Sequence, residues 1–473
     1  MPVEKTINQE IHRVFQLQKA NRINLSKTTA SQRKLKLKII LSEIMSMQDE
    51  ICNAVYKDFR KSKEETKLTE IFPVVSEIRH TIRNLNKWMQ PHRVPTPLSF
   101  FGSINKVMYE SIGQSLIISP WNFPFLLAMG PLISAIAAGN TVILKPSERS
   151  PNTSELLQSI IDKLFPEEEV KVFLGGAEVA KELTSLPFNH IFFTGSTVVG
   201  KLVMEAASKN LAKVTLELGG KSPAIVSNDA DIKTSAKRIA WAKFMNAGQT
   251  CIAPDYLLVH EEIKEKLISE IIKSVEYHYG VKDELRKENN YCRIINDTQF
   301  YNIKSLIEDA VNKNGKIIYG GEIDDNDNLI SPTLIDNVSM DSEIMKIEIF
   351  GPVLPIITYK NEDEILTIIE KNPNPLAFYI FSKKKKFINK MLKSIPAGGA
   401  AVNDAVVHFV NFNLPFGGIN QSGIGKAHGF YGFKTFSNEK SIMKQRKYSA
   451  LMFLYPPYNK IKNKLIDIVI KYF

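Results

Sequence analysis

The feature that most constrains this chain is the run HIFFTGSTVVGKLVMEAASKNLAKVTLEL at residues 190–218. HIFFTG has the pattern of a short buried strand. GSTVVG turns the chain, VVGKLVMEAASKN carries apolar residues at helical spacing, and KVTLEL is strand-like again. Strand, turn, helix and strand in succession make a βαβ unit, which calls for a parallel sheet with a helix on its face. The same alternation runs upstream: strands with a Gly turn in SINKVMYESIGQSLIISP, a Gly/Ala-rich helix near 126–138, then TVILKPSE, NTSELLQSIIDKL, VKVFLGG and AEVAKELTSL. Asn152 or Thr153 is expected near the cap of the NTSELLQSIIDKL helix. The fold class is therefore α/β.

Residues 1 to about 90 read as mostly helical, with Ser31 as the expected cap of the helix that begins RKLKLKIIL. Pro91, Pro95 and Pro97 end that region. After Gly219–Gly220 further α/β pattern continues to about 425, and the stretch from about 447 is separate in character.

A chain of 473 residues has room for two or three domains. Its three cysteines, Cys52, Cys251 and Cys292, are too few and too scattered for a disulfide framework or a zinc site, and no metal is expected. They point to a reducing compartment, and the absence of a charged-then-apolar leader adds to the expectation of a cytoplasmic protein. The apolar runs fall short of the ~20 residues of a membrane-spanning helix. The net charge of +11 raises the question of nucleic acid, but the lysines are spread along the chain and no nucleic-acid signature accompanies them. Lys383–Lys386 reads as a solvated turn.

Cys251 lies in NAGQTCIAPD, a polar stretch rather than an apolar run. A lone cysteine is ordinarily a buried structural residue; on a reachable polar loop its thiolate is a nucleophile. Cys52 falls in an amphipathic helix and Cys292 in a charged loop beside Arg293. A base for Cys251 would come from His408, His428 or Glu217, which closes a strand just before Gly219–Gly220. Glu217 reads equally as a surface carboxylate at a turn. Asn122 in SPWNFPF is either a turn asparagine or a donor to a developing oxyanion. Lys145, at a strand end, can reach ribose hydroxyls or phosphates or be merely solvated. Gly195 and Gly200 flank a turn at a helix N-terminus, where free N–H groups can hold a phosphate.

Together these stretches resemble the aldehyde dehydrogenase superfamily. The matching motifs are SPWNFP at 119–124, LKPSE at 144–148, FTGST at 193–197, LELGGKSP at 216–223, NAGQTCIAP at 246–254, EIFGP at 348–352 and PFGGINQSG at 415–423. They stand in the family's order, over roughly residues 5 to 445. FMNAGQTCIAPDY and NLPFGGINQSGIGKAHGFYGFKTFS look closest to the class-three branch, which includes fatty-aldehyde enzymes.

The resemblance implies a Rossmann-like NAD(P)-binding domain (1–88 and 112–218), an α/β catalytic domain (219–425), a small β oligomerisation arm (89–111 and 436–447) and a C-terminal tail (448–473). It implies a homodimer. It makes Cys251 the nucleophile toward an aldehyde, Asn122 and the Cys251 N–H the oxyanion donors, and Glu217 the base that hydrolyses the thioester to the acid. For the cofactor it implies Lys145 and Glu148 at the adenosine ribose, Gly195 and Ser196 at the pyrophosphate, and Trp121, Glu348 and Phe350 toward the nicotinamide. NAD is the expected cofactor and NADP remains open. Medium or long aliphatic and aromatic aldehydes are the branch's substrates.

Two rival readings stand beside it. One is a CoA-acylating or reductive enzyme of the same superfamily, and the other is a non-catalytic binding protein with this fold. In the tail, Ile461, Leu465, Ile468, Val469 and Tyr472 share one helical face, with Lys460, Lys464 and Lys471 elsewhere. That helix is expected either to pack on the body or a partner subunit or to lie on an anionic membrane surface.

Overall fold

The computed structural model describes residues 2–97, 100–280, 285, 291–447, 452 and 454–472. Two large sheets carry the architecture. The first has six strands in the order Gly423–Ile424, Lys213–Glu217, His190–Thr194, Gln114–Ile118, Thr141–Lys145, Val170–Val172. All neighbours are parallel except Gly423–Ile424, which runs antiparallel to Lys213–Glu217. QSLII and TVILK are buried at every position, as expected of parallel strands covered on both faces. The chain leaves Gln114–Ile118 toward one edge, then returns to its other side with His190–Thr194. The crevice outside the carboxyl ends at such a reversal is where open α/β sheets receive ligands.

The second sheet has seven strands, Lys316–Tyr319, Thr333–Asp336, Val353–Tyr359, Tyr256–His260, Pro223–Val226, Ala377–Phe381 and Gly399–Val402, parallel except at the first pair. The two sheets are joined directly: strand Lys213–Glu217 runs through Leu218–Ser222 into Pro223–Val226. A third, antiparallel sheet joins His92–Arg93, Ile104–Ser111 and Ser437–Lys444, in the region expected for the arm.

The N-terminal layer is helical, as read from the sequence. Helix Ala30–Ser46 buries Leu37, Ile40 and Ile44, the i, i+3, i+7 face of an amphipathic helix. Its cap is Thr29 rather than Ser31: the Thr29 hydroxyl and the Gln32 side chain form a reciprocal capping box. Lys385 and Lys386, expected in a turn, open helix Lys385–Ser394, although all four lysines of 383–386 are solvated.

Asn152 and Thr153 stand in the first turn of helix Pro151–Leu164, near its cap as expected, but neither side chain caps it. The carboxylate of Asp58, at the end of helix Gln48–Phe59, accepts from the N–H groups of Asn152 and Thr153 at 3.0 Å each. A short polar side chain near the start of a helical run was the local signal, but the acceptor comes from 94 residues away. Asp58→Ala is expected to destabilise the protein by about 1–2 kcal/mol, read as a lowered urea midpoint, with Asp58→Asn closer to wild type.

Candidate active site

Helix Ile232–Phe244 delivers the chain to the Cys251 loop. There Asn246, Ala247 and Gly248 take positive φ in succession, 56°, 48° and 71°. Gly248 is required: a Cβ would lie 2.2 Å from the Gly351 carbonyl oxygen. Beyond this turn Cys251 stands half-buried. The loop is polar, as the sequence shows, but it is not an open surface loop. Asn246, Gly248, Gln249 and Thr250 are all buried; the Thr250 hydroxyl has no partner in the protein, while the side-chain amides of Asn246 and Gln249 bond to backbone carbonyls. Asn246 Nδ2 donates to the carbonyls of Asn122 (2.9 Å) and Gln249 (3.0 Å), and Gln249 Nε2 donates to those of Asn246 and Arg293 at 3.1 Å.

Burial pushes the Cys251 thiol up, and the nearby carboxyls of Glu348 and Glu217 push it further, against the pull of the Cys251 and Ile252 N–H groups. The other cysteines are enclosed. Cys292 is buried against Asn246 rather than set in an exposed charged loop, and Cys52 faces the Lys63 carbonyl.

Glu217 is not a surface carboxylate. It ends its strand buried, and neither carboxyl oxygen has a hydrogen-bond partner within the protein. Burial holds its carboxyl well above the ordinary value of 4.5, opposed by the charge of Lys426. Glu217 and Cys251 line one cavity, with Leu126, Leu127, Phe409 and Phe416 among its walls. Asn122 lies in the loop after the reversal strand, 3% exposed, its amide donating to the Gln249 carbonyl at 3.0 Å. The same loop that carries Asn122 is thereby tied to the nucleophile loop. Of the two candidate histidines, His428 lines the cavity, with Nδ1 3.0 Å from the buried Glu77 carboxylate. His408 leaves both ring nitrogens unbonded between the rings of Tyr379 and Phe416, and burial pushes its pKa down to about 4.

The residues expected to hold a dinucleotide converge on the reversal of the six-stranded sheet. Strand Gln114–Ile118 leads to Trp121, and strand His190–Thr194 leads to Gly195 and Ser196 at the start of helix Thr197–Ser208. Ser196 caps that helix through the Val199 N–H, and the Gly195 N–H is held by the Glu217 carbonyl at 3.0 Å. A Cβ on Gly195 would strike the Phe193 ring at 2.5 Å. Gly200, read as the far flank of the turn, lies inside the helix and packs on Leu218.

Lys145 ends its strand buried, with Nζ 2.7 Å from Glu148 Oε2. Burial works against the Glu148 charge, but the Lys145 bond, the Glu148 N–H and the charges of Lys145 and Arg149 together outweigh it, and the carboxyl sits below its usual range. On the other side, Trp121 and Phe350 meet edge to face at 5.3 Å. Glu348 takes the Gly220 N–H, and a Cβ on Gly219 would come within 1.9 Å of it. Burial and the neighbouring Asp255 push the Glu348 carboxyl up to about 8.

The sequence reading passed over the groups that brace this site. Lys221 and Asp255 form a buried ion pair at 2.5 Å; Lys221 also holds the carbonyls of Ile344 and Ile347, and Asp255 accepts from the Ile349 N–H at 3.1 Å. Both residues lie inside quoted motifs, so the signal was at hand. Glu65, Glu70 and Lys61 gave none: Lys61 pairs with Glu70, and the backbone N–H groups that Glu70 and Glu65 hold are 55 to 181 residues away.

A parallel-sheet crevice beside Cys251 and the partnerless carboxyl of Glu217 marks an α/β enzyme. The chain belongs to the aldehyde dehydrogenase family: the model described as the aldehyde dehydrogenase family matches residues 3–442. It is 40% identical to aldehyde dehydrogenase family 3 comG of Dictyostelium discoideum, over 97% of this chain and 95% of that one. Its fold matches the substrate-bound state of AldH from Staphylococcus aureus with a TM-score of 0.92 at 40% identity, covering 97% and 99% of the two chains. PnpE, solved in complex with nicotinamide adenine dinucleotide, matches with a TM-score of 0.85 at 25% identity, covering 93% and 91%.

The environments of the three cysteines give a test. Iodoacetamide is expected to label Cys251 ahead of Cys52 and Cys292, as read by peptide mass spectrometry. Its rate should still be climbing beyond pH 9, because only the thiolate reacts and this thiol ionises late.

Proposed function

We propose that this enzyme oxidises aldehydes to carboxylic acids, with NAD as hydride acceptor and Cys251 as covalent carrier. The observation that supports this most is that Cys251 and Glu217 face one largely apolar cavity while both Glu217 oxygens lack a protein partner. In this reading Cys251 gives its thiol proton to solvent water and Sγ adds to the aldehyde carbon. The second amide hydrogen of Asn122 and the Cys251 N–H meet the oxyanion. NAD, when bound, supplies the acceptor for the hydride that takes the carbon to the acyl level. A thioester remains on Cys251. Glu217 then takes a proton from water, which adds to the thioester and releases the acid and the thiol.

The cofactor's diphosphate would rest beside Gly195 and Ser196 at the N-terminus of helix Thr197–Ser208, with the Gly195 N–H itself already held by the Glu217 carbonyl. Lys145 and Glu148 would meet the adenosine ribose, and Trp121, Glu348 and Phe350 the nicotinamide side. A carboxylate at Glu148 repels a 2′-phosphate and favours NAD over NADP. Hydrolysis is favoured over acyl transfer to CoA because a buried, partnerless carboxyl at Glu217 is suited to activating water. Medium or long aliphatic and aromatic aldehydes suit walls that include Leu126, Leu127, Phe409 and Phe416. The antiparallel sheet of Ile104–Ser111 and Ser437–Lys444 would carry a homodimer contact.

Helix Lys460–Tyr472 buries no residue on the body of the chain, and Ile461, Leu465, Ile468 and Tyr472 are exposed. Among the described residues no helix is long and apolar enough to cross a membrane. An amphipathic helix with Lys460, Lys464 and Lys471 suits peripheral contact with an anionic membrane.

A carboxyl raised above 4.5 is neutral at low pH and cannot take a proton until pH passes its shifted pKa. Turnover is therefore expected to rise with pH along a limb well above 4.5. Glu217→Gln should lose that limb and fall by about 100- to 10,000-fold, after a first burst of reduced cofactor. Steady turnover without a burst would assign the base to another group. For the tail, full-length protein should float with acidic liposomes and a chain ending at 447 should not; equal recovery of both in the soluble fraction would remove the membrane contact.

A further inference from the structure

The left-handed turn at Asn246–Gly248 has to be held. A left-handed conformation is strained for an L-residue, and Asn246 and Ala247 both carry a Cβ. Such backbone persists only where its surroundings over-determine it. Inside the loop, Asn246 and Gln249 bond to each other and to Asn122. One holding contact comes from far away in the sequence. The Asn246 N–H donates to Glu65 Oε1 at 2.7 Å, from the short helix Lys63–Thr66.

Glu65 does not stand alone. A π-helical turn, Lys67–Ile71, follows it and brings Glu70 round. Lys61 and Glu70 are wholly buried, 3.1 Å apart. Glu70 Oε2 accepts from the N–H groups of Phe125 and Leu126 at 3.0 Å each, at the start of helix Leu126–Ala138. Lys61 Nζ stands 4.2 Å from the centre of the Phe123 ring, beside Asn122. Burial pushes the Glu65 carboxyl up, while the charge of Lys61 and the Asn246 N–H hold it down. One cluster on the N-terminal helices therefore grips both halves of the site. Glu70 and Lys61 hold the Asn122 loop, and Glu65 holds the Cys251 loop. Between the two halves the Asn122 amide reaches the Gln249 carbonyl and the Asn246 amide reaches the Asn122 carbonyl.

We propose that Glu65 is a positioning residue of the aldehyde oxidation: its bond to the Asn246 N–H fixes the left-handed turn that sets Cys251 against Asn122, with Lys61 and Glu70 holding the opposite side. This rests on the roles proposed above for Cys251 and Asn122. A loop displaced by about 1 Å typically costs on the order of 100-fold in rate without weakening ground-state binding.

The experiment is single-turnover formation of reduced cofactor by Glu65→Ala, Glu65→Gln and wild type, per active site titrated with an alkylating agent, with Cys251→Ser as control. Glu65→Ala is expected to acylate about 100-fold more slowly, with the NAD dissociation constant and the aldehyde KM little changed. Glu65→Gln keeps an acceptor oxygen for the Asn246 N–H and should recover most of the loss. Acylation by Glu65→Ala at the wild-type rate, even with a lowered melting temperature, would overturn the proposal and leave Glu65 a structural brace. If Glu65→Ala does not fold, Glu65→Asp carries the test: a clear loss of rate supports positioning and a wild-type rate overturns it. Wild-type activity that survives in Cys251→Ser would instead overturn the covalent reading beneath it.

Discussion

The structure depends on one crossing. Strand Lys213–Glu217 of the first sheet leads into Pro223–Val226 of the second through Leu218–Ser222. That link has little room. A Cβ on Gly219 would collide with Glu348, and one on Gly220 would stand 2.9 Å from the Leu376 backbone nitrogen. Because the link is short and side-chain-free at its centre, the carboxyl ends of the first sheet face the amino ends of the second across one seam. Glu217 ends one sheet at that seam, and the Cys251 loop enters it from the helix before strand Tyr256–His260. Lys221, inside the link, holds the carbonyls of Ile344 and Ile347 and so brings Glu348 and Phe350 to the same place.

Electrostatically the seam is built from groups that resist ionisation. Burial raises Glu217, Glu348 and Cys251 together, and each carboxyl adds to the rise of the thiol. The charges nearby that are firmly paired, Lys221 with Asp255 and Lys61 with Glu70, serve the backbone rather than the cavity.

Much of this was legible in the sequence, for a physical reason. Parallel strands buried on both faces leave continuous apolar runs, and the helices between them leave a helical period, so the first sheet could be read almost strand by strand. Cys251, Glu217 and Asn122 were legible because each stands beside a glycine, a proline or a strand end. What was hidden is long-range. That the polar stretch around Cys251 is buried depends on partners at 122 and 293. Asp58 capping a helix 94 residues on, and Glu65 bonding Asn246 181 residues on, leave no periodicity to find. The exposed apolar face of the tail helix was visible as a pattern, but its lack of packing on the body was not.

The sheet that pairs Ile104–Ser111 with Ser437–Lys444 in eight consecutive registers bears on how the chain is made. The earlier strand leaves the ribosome some 330 residues before its partner. Strand Gly423–Ile424, which borders Glu217, likewise arrives near the end. During vectorial synthesis the first sheet therefore emerges with one border open and the arm with an unpaired long edge, the condition in which strands recruit the wrong neighbour. Completion of both sheets therefore waits until residues 423–444 have emerged, and until then those edges stay open to other strands.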